Sequence, residues 1–142
     1  MKIDHIIDIN ASPEAVWAVT EDVERWPEWT PTIESVRRVN QGPFDVGSTA
    51  WIKQPGMPES EWTVTALTKG ERFTWEAWIR GMRIVATHEI VASEDGTQNK
   101  LTIEVTGLVA RILWPLMRRS TRKLLEQENM GLKVRCELGD AP

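Results

Sequence analysis

The chain changes its hydrophobic period once, shortly after residue 106. Before that point apolar residues recur at every second position, and after it they recur at three and four. Residues 2–10 put Ile3, His5, Ile7 and Ile9 on one side and Asp4, Asp8 and Asn10 mostly on the other. That alternation predicts a half-buried strand. Ser12 then reads as a helix N-cap with Pro13 at the first helical position, and the short helix presents Val16, Trp17 and Thr20 to a core. Trp26-Pro27-Glu28-Trp29-Thr30-Pro31 follows, where the prolines predict a compact irregular helix or turn held by its two Trp. Strand patterns come next at 33–39, 47–54, 61–68, 71–80, 82–92 and 100–106, separated by the turn signals Gln41-Gly42-Pro43, the Pro/Gly-rich loop 55–60, Gly81 and Glu94-Asp95-Gly96.

From about residue 110 to 137 the period becomes helical over roughly seven turns at 3.6 residues per turn. Leu113, Leu116, Met117, Leu124 and Val134 fall on one stripe, flanked by Leu125, Leu132 and Cys136. Arg118, Arg119, Arg122, Glu126, Asn129 and Lys133 project oppositely. Such a helix must bury its stripe against something, and the preceding strands offer a sheet. A sheet apolar on one face curls around the helix that covers it. The pattern therefore predicts an α+β fold: one strand, two short helices, six further antiparallel strands, and a long C-terminal helix gripped by the curved sheet.

Three residues interrupt the helix stripe, namely Ser120, Gln127 and Gly131. Two readings fit. They leave space and hydrogen-bonding groups at a ligand cavity, or they are structural: Ser120 bonding back to the helix, Gln127 at the rim, and Gly131 letting a strand come close.

Composition narrows the class. At 142 residues with 41% hydrophobic and 27% charged positions, the chain reads as a single globular domain over 1–142. One cysteine excludes an intramolecular disulfide framework and suits a reducing compartment. No signal peptide or membrane-spanning run is visible, so a cytoplasmic address is expected. The net charge of −4 is uneven: residues 111–135 carry seven Lys/Arg against two Glu. That basic face either is simply solvated or, through Arg118, Arg119 and Arg122, touches an anionic membrane surface. Nucleic-acid binding is not expected from an acidic chain without a recognised module. Eight Trp and no Tyr suit core packing or the walls of an apolar cavity.

This order of elements, with Ile9-Asn10-Ala11-Ser12-Pro13-Glu14-Ala15-Val16-Trp17, Asp22 through Trp26-Pro27-Glu28-Trp29, Gln54-Pro55-Gly56, Arg72-Phe73-Thr74-Trp75, and His88 with Gly96-Thr97, resembles the START-like superfamily. That superfamily is also called SRPBCC, helix-grip or Bet v 1-like, and the resemblance is to its polyketide cyclase/dehydrase and lipid-transport branch. The match runs nearly end to end. It implies a seven-stranded curved sheet around the C-terminal helix and a deep pocket between them, used by family members for lipids, sterols, polyketides or other apolar molecules. Some members are enzymes and others carriers, so the fold does not choose between them.

Candidate chemistry is sparse. Two His and one Cys give no metal-ligand cluster, no phosphate loop or nucleophile elbow appears, and no cofactor is expected. Cys136 reads as a small buried apolar side chain. His88 shares a strand face with Ile84, Ala86 and Ile90, so it faces the groove, either as an acid/base or ligand hydrogen-bonder or as a core histidine. Glu76, Glu89 and Glu104 fall on outward parities, which removes a paired-carboxylate mechanism. The expected ligand-binding residues are Trp62, Phe73, Trp75, His88, Leu116, Ser120, Leu124 and Gln127, with Met57 and its prolines at the rim. The expected function is binding or transport of an apolar small molecule. The alternatives are a cyclase/dehydratase using His88, and a protein-interaction module using the basic helix face.

Overall fold

A computed structural model of the chain describes residues 1–138; residues 139–142, the end of the expected domain, lie outside them. The elements run β1 (Lys2–Ile9), α1 (Pro13–Glu21), a 3-10 helix (Val23–Glu28), β2 (Ser35–Arg38), β3 (Thr49–Lys53), β4 (Ser60–Thr68), β5 (Arg72–Ile79), β6 (Met82–Ser93), β7 (Gly96–Thr106) and α2 (Leu108–Glu137). The strands form one antiparallel seven-stranded sheet in the order β1-β7-β6-β5-β4-β3-β2. The expected class and element order hold. β2 and β3 are shorter than their sequence patterns, and β7 is longer, because Glu94–Asp95 folds it straight back with Ser93 opposite Gly96.

Local chemistry explains the turns that set the register. Ser12 Oγ accepts a hydrogen bond from the Ala15 amide at 3.1 Å and starts α1. Arg80 and Gly81 take φ of 50° and 81°, the positive pair of a two-residue hairpin turn whose twist matches the strands, placing Ile79 opposite Met82. A register shift between Val64 and Ala66 bends β4 against β5.

Two covers lie on the apolar face of the sheet. Near α1 and the 3-10 helix the space is filled by rings: Trp26 contacts Trp75 at 5.4 Å and Phe73 at 6.4 Å between centroids, and Phe44 contacts Phe73 at 5.0 Å. The Trp26 indole N–H donates to the Thr20 carbonyl at 3.0 Å, so this buried ring is also satisfied. The other cover is α2, which packs chiefly on β1 and also touches β7, β6 and α1.

The face that α2 buries corrects the sequence projection. Its buried residues are Ala110, Leu125, Glu128, Asn129 and Leu132. Leu116 and Val134, both assigned to the buried stripe, are 80% and 47% exposed. Asn129, assigned to the outer face, is fully buried. At ~100° per residue the true stripe is rotated by roughly 110° from the expected one, onto the flank of Leu125 and Leu132. The apolar side chains of Leu116 and Val134 pulled the projection away from Glu128 and Asn129.

Candidate functional site

A cavity of about 470 Å³ lies between the sheet and the middle of α2. Its floor comes from alternate residues of adjacent strands, among them Trp62 on β4, Trp75 on β5, Ala86 and His88 on β6, and Ile103 on β7. Period-2 alternation puts them on one face, and the antiparallel register sets Trp75 opposite Ala86 and Ala86 opposite Ile103. The small Ala86 between larger neighbours leaves the hollow. Leu113, Met117, Thr121, Leu124, Leu125 and Glu128 form the roof, recurring at helical spacing along α2. Gln54, Pro55, Met57 and Arg80 reach the edge, so the Pro/Gly loop stands where a rim was expected.

Of the expected binding residues, Trp62, Trp75, His88, Ser120 and Leu124 stand on this cavity's wall. Ser120 is at its margin, and its hydroxyl donates to the Met117 carbonyl at 2.9 Å. Phe73, Leu116 and Gln127 do not line it. Phe73 has the expected parity but is fully buried one row away, under Trp17, Trp26 and Phe44. Leu116 points to solvent because it lies on the far side of α2 from the buried Leu125 and Leu132. Gln127 is exposed and lines a separate outer groove with Trp29, Pro31 and Val134. Gly131 admits a close neighbour, though not the strand expected: a Cβ there would collide with the Trp29 carbonyl, at the end of the 3-10 helix.

The titratable groups at the cavity are few. His88 is 7% exposed, stacked on Phe73 at 4.6 Å and 7° between planes, with Trp26 at 5.1 Å. Burial lowers its pKa to about 3, so the imidazole is neutral at physiological pH. Glu128, also 7% exposed, has its pKa raised to about 7 by burial. Sequence reasoning missed this residue, although it projects in line with Met117 and Leu124, because the stripe was drawn from apolar residues. Its neighbour Asn129 belongs to a hydrogen-bonded cluster. The Asn129 side-chain oxygen accepts from Asn99 Nδ2 at 2.7 Å, while its Nδ2 lies 2.8 Å from His5 Nδ1 and donates to the His5 carbonyl at 3.1 Å. His5 therefore helps to fix α2. Burial pushes the half-buried Cys136 thiol up to about 11, which removes it as a ready nucleophile. No group of three or more His, Cys, Asp or Glu suited to a metal occurs among the described residues.

A curved antiparallel sheet closed over a long C-terminal helix, with a cavity between them, defines the helix-grip or START-like class. The family model for polyketide cyclase/dehydrase and lipid transport proteins matches residues 1–137, and the chain belongs to that family. Solved structures with the same fold include a protein of Thermus thermophilus, 17% identical over 100% of both chains with a TM-score of 0.80. A START superfamily protein from Mycobacterium smegmatis is 16% identical over 96% of this chain and 97% of that one, with a TM-score of 0.75. The di-domain ARO/CYC StfQ of the steffimycin biosynthetic pathway is 9% identical over 96% of this chain and 51% of that one, with a TM-score of 0.81. These identities carry the fold and nothing finer. No curated protein matches the chain.

Proposed function

We propose that the protein binds an apolar small molecule, lipid-like or polyketide-like, in the cavity between the sheet and α2. The observation that carries this reading is the cavity itself: about 470 Å³, walled mainly by Trp, Leu, Ile and Met with a few polar groups. Its size and lining are those of small-molecule sites. Native mass spectrometry of the purified protein, followed by denaturing extraction, tests it. A stoichiometric apolar passenger, or a rise in melting temperature with a lipid and polyketide panel, is the expected result. An empty protein unmoved by that panel would overturn it.

The enzymatic alternative, with His88 as acid/base, has less support. An imidazole held near pKa 3 is a weak base at neutral pH, and no side chain among the described residues hydrogen-bonds it to relay a proton. Loss of two or more orders of magnitude of turnover in His88→Ala would restore that reading.

We also infer that the first turns of α2 contact an anionic bilayer. Leu108, Ile112 and Leu116 stand one turn apart and are 76%, 71% and 80% exposed, and Arg118, Arg119 and Arg122 follow in the next turns. An apolar ridge continued by cations suits the boundary between acyl chains and acidic headgroups. Co-sedimentation with phosphatidylglycerol-containing vesicles is expected, weakened by salt and by reversing Arg118 and Arg122 to Glu. Unchanged binding after that double reversal would remove the arginines from the contact.

A further inference from the structure

One carboxylate on the cavity wall has no structural explanation. Glu128 is more than nine-tenths buried, lines the cavity, and has no hydrogen-bond or ion-pair partner among the described residues. Buried carboxyl groups ordinarily have partners, because leaving one alone in an apolar wall is costly. The same level of the helix shows that partners were available in the fold. Asn129, the next residue, is matched on both its amide oxygen and its amide nitrogen. The neighbouring wall residues Leu124 and Leu125 show that an apolar side chain is accepted there. What Glu128 lacks is a partner that the protein itself does not supply.

We propose that Glu128 is the polar anchor of the bound molecule, its carboxyl group hydrogen-bonding a ketone, ester or hydroxyl oxygen of an uncharged and otherwise apolar ligand. This rests on the reading of the cavity as a small-molecule site. Desolvation and the burial of Glu128 itself favour an uncharged partner over an amine. Desolvating an ammonium group against these walls costs several kcal/mol before any attraction to a carboxylate is gained. The seven cationic side chains of residues 111–135 all stand off the cavity wall, so none of them bears on its charge preference. The sheet side answers with His88, kept neutral by burial, while Arg80 at the rim is the one Lys or Arg lining the cavity among the described residues. Burial already pushes the Glu128 carboxyl up to about 7, and a ligand that displaces the remaining water favours the neutral acid further. As an acid the group donates its O–H to a carbonyl oxygen. Toward a hydroxyl it can donate or accept.

The test uses matched probes, 9-fluorenone and fluorene, which share a ring skeleton and differ by one carbonyl, with 9-aminofluorene as the cationic control. Binding to the full chain is read by tryptophan fluorescence and calorimetry, on the wild type, Glu128→Leu and Glu128→Gln. The expected result is that wild type prefers fluorenone to fluorene by about 3- to 10-fold. Glu128→Leu should hold fluorene at least as well and lose the preference, while Glu128→Gln, which keeps an N–H donor, should retain most of it. Fluorene binding without a carbonyl preference in wild type, or a preference unchanged in Glu128→Leu, would overturn the anchor and leave the cavity reading intact. A wild-type preference for aminofluorene that disappears in Glu128→Leu would overturn the uncharged class. Failure of all three probes, together with an empty protein by mass spectrometry, would overturn the cavity reading and the anchor with it. The wild-type preference is read without any substitution, so a variant that fails to fold does not shield the proposal.

Discussion

The two halves of α2 are built for different tasks. From Leu125 onward the helix is fastened at every turn. Leu125 packs with Ile3 and Leu101, Asn129 bonds His5 and Asn99, and Gly131 meets the Trp29 backbone. Lys133 donates to the Asp8 carbonyl at 2.8 Å, and Glu137 accepts from the Asn10 amide at 2.8 Å. Before Leu125 the fastening is sparse. Gly107 provides no side-chain cap, Pro115 removes an amide that would bond the Arg111 carbonyl, and one face beneath the helix is cavity rather than core. One continuous helix is thus a clamp at one end and a roof over empty space at the other. The contrast separates polar residues that hold the fold from a polar residue that the fold leaves unmatched.

The largest effects should come from breaking the clamp. Leu125→Ala removes a side chain that is 2% exposed and should cost about 2–5 kcal/mol. Asn129→Leu strands Asn99 and the His5 ring together, for a loss of about 2–4 kcal/mol. Gly131→Val should match it, because its Cβ must displace the Trp29 backbone. Urea unfolding followed by tryptophan fluorescence measures all three. A loss below about 1 kcal/mol in each would mean that the C-terminal half does not carry the helix.

Next in size is a pH-dependent gain at the boundary between the halves. Glu128 has its pKa raised from 4.5 to about 7 in the folded protein, so folding favours its protonated form. Its contribution is fully present below about pH 4.5 and is lost as pH rises through about 7. Glu128→Gln should therefore gain on the wild type as pH rises, by roughly 2–3 kcal/mol at pH 8. His88 has the opposite sign. Its pKa is lowered from 6.5 to about 3, so its contribution is present above pH 6.5 and is lost as pH falls toward 3. Between about pH 4.5 and 6.5 the two slopes oppose each other, and the wild type should be nearly flat there. If the difference between Glu128→Gln and wild type were the same at pH 5 and pH 8, the carboxyl would not be titrating in the wall.

The strands were legible because a period of two reports directly which face is buried, and Trp62, Trp75 and His88 fell where alternation put them. Depth was not legible. Phe73 shares their face, yet it is sealed by Trp17, Trp26 and Phe44, which arrive from other parts of the chain. The helix misled for a related reason. A period of 3.6 locates the apolar side only if every apolar residue is buried, and here Leu116 is exposed while Glu128 is not. Gly131 looked like a gap in a pocket and is a contact with a backbone that periodicity cannot see. The sequence signal that could have found Glu128 is its alignment with Met117 and Leu124, which a stripe drawn from apolar residues alone passes over.

The smallest effect on stability tests the roof directly. Leu116 and Leu125 are the same residue type on the same helix, in its first and second halves. Leu116 is 80% exposed, so truncating it removes little apolar area from contact with protein, and Leu116→Ala should change stability by less than about 0.5 kcal/mol. Alanine is also the better helix former, which offsets what little is lost. If α2 instead folded down to bury Leu116 in solution, the cost would approach that of Leu125→Ala and the cavity would be closed. The same substitution should weaken association with anionic vesicles, because an exposed leucine on an apolar ridge contributes to membrane contact while adding nothing to the core. A variant that keeps its urea midpoint but sediments less with vesicles would separate the surface role of the first half from the structural role of the second. Unchanged sedimentation beside an unchanged midpoint would show that the ridge faces only water.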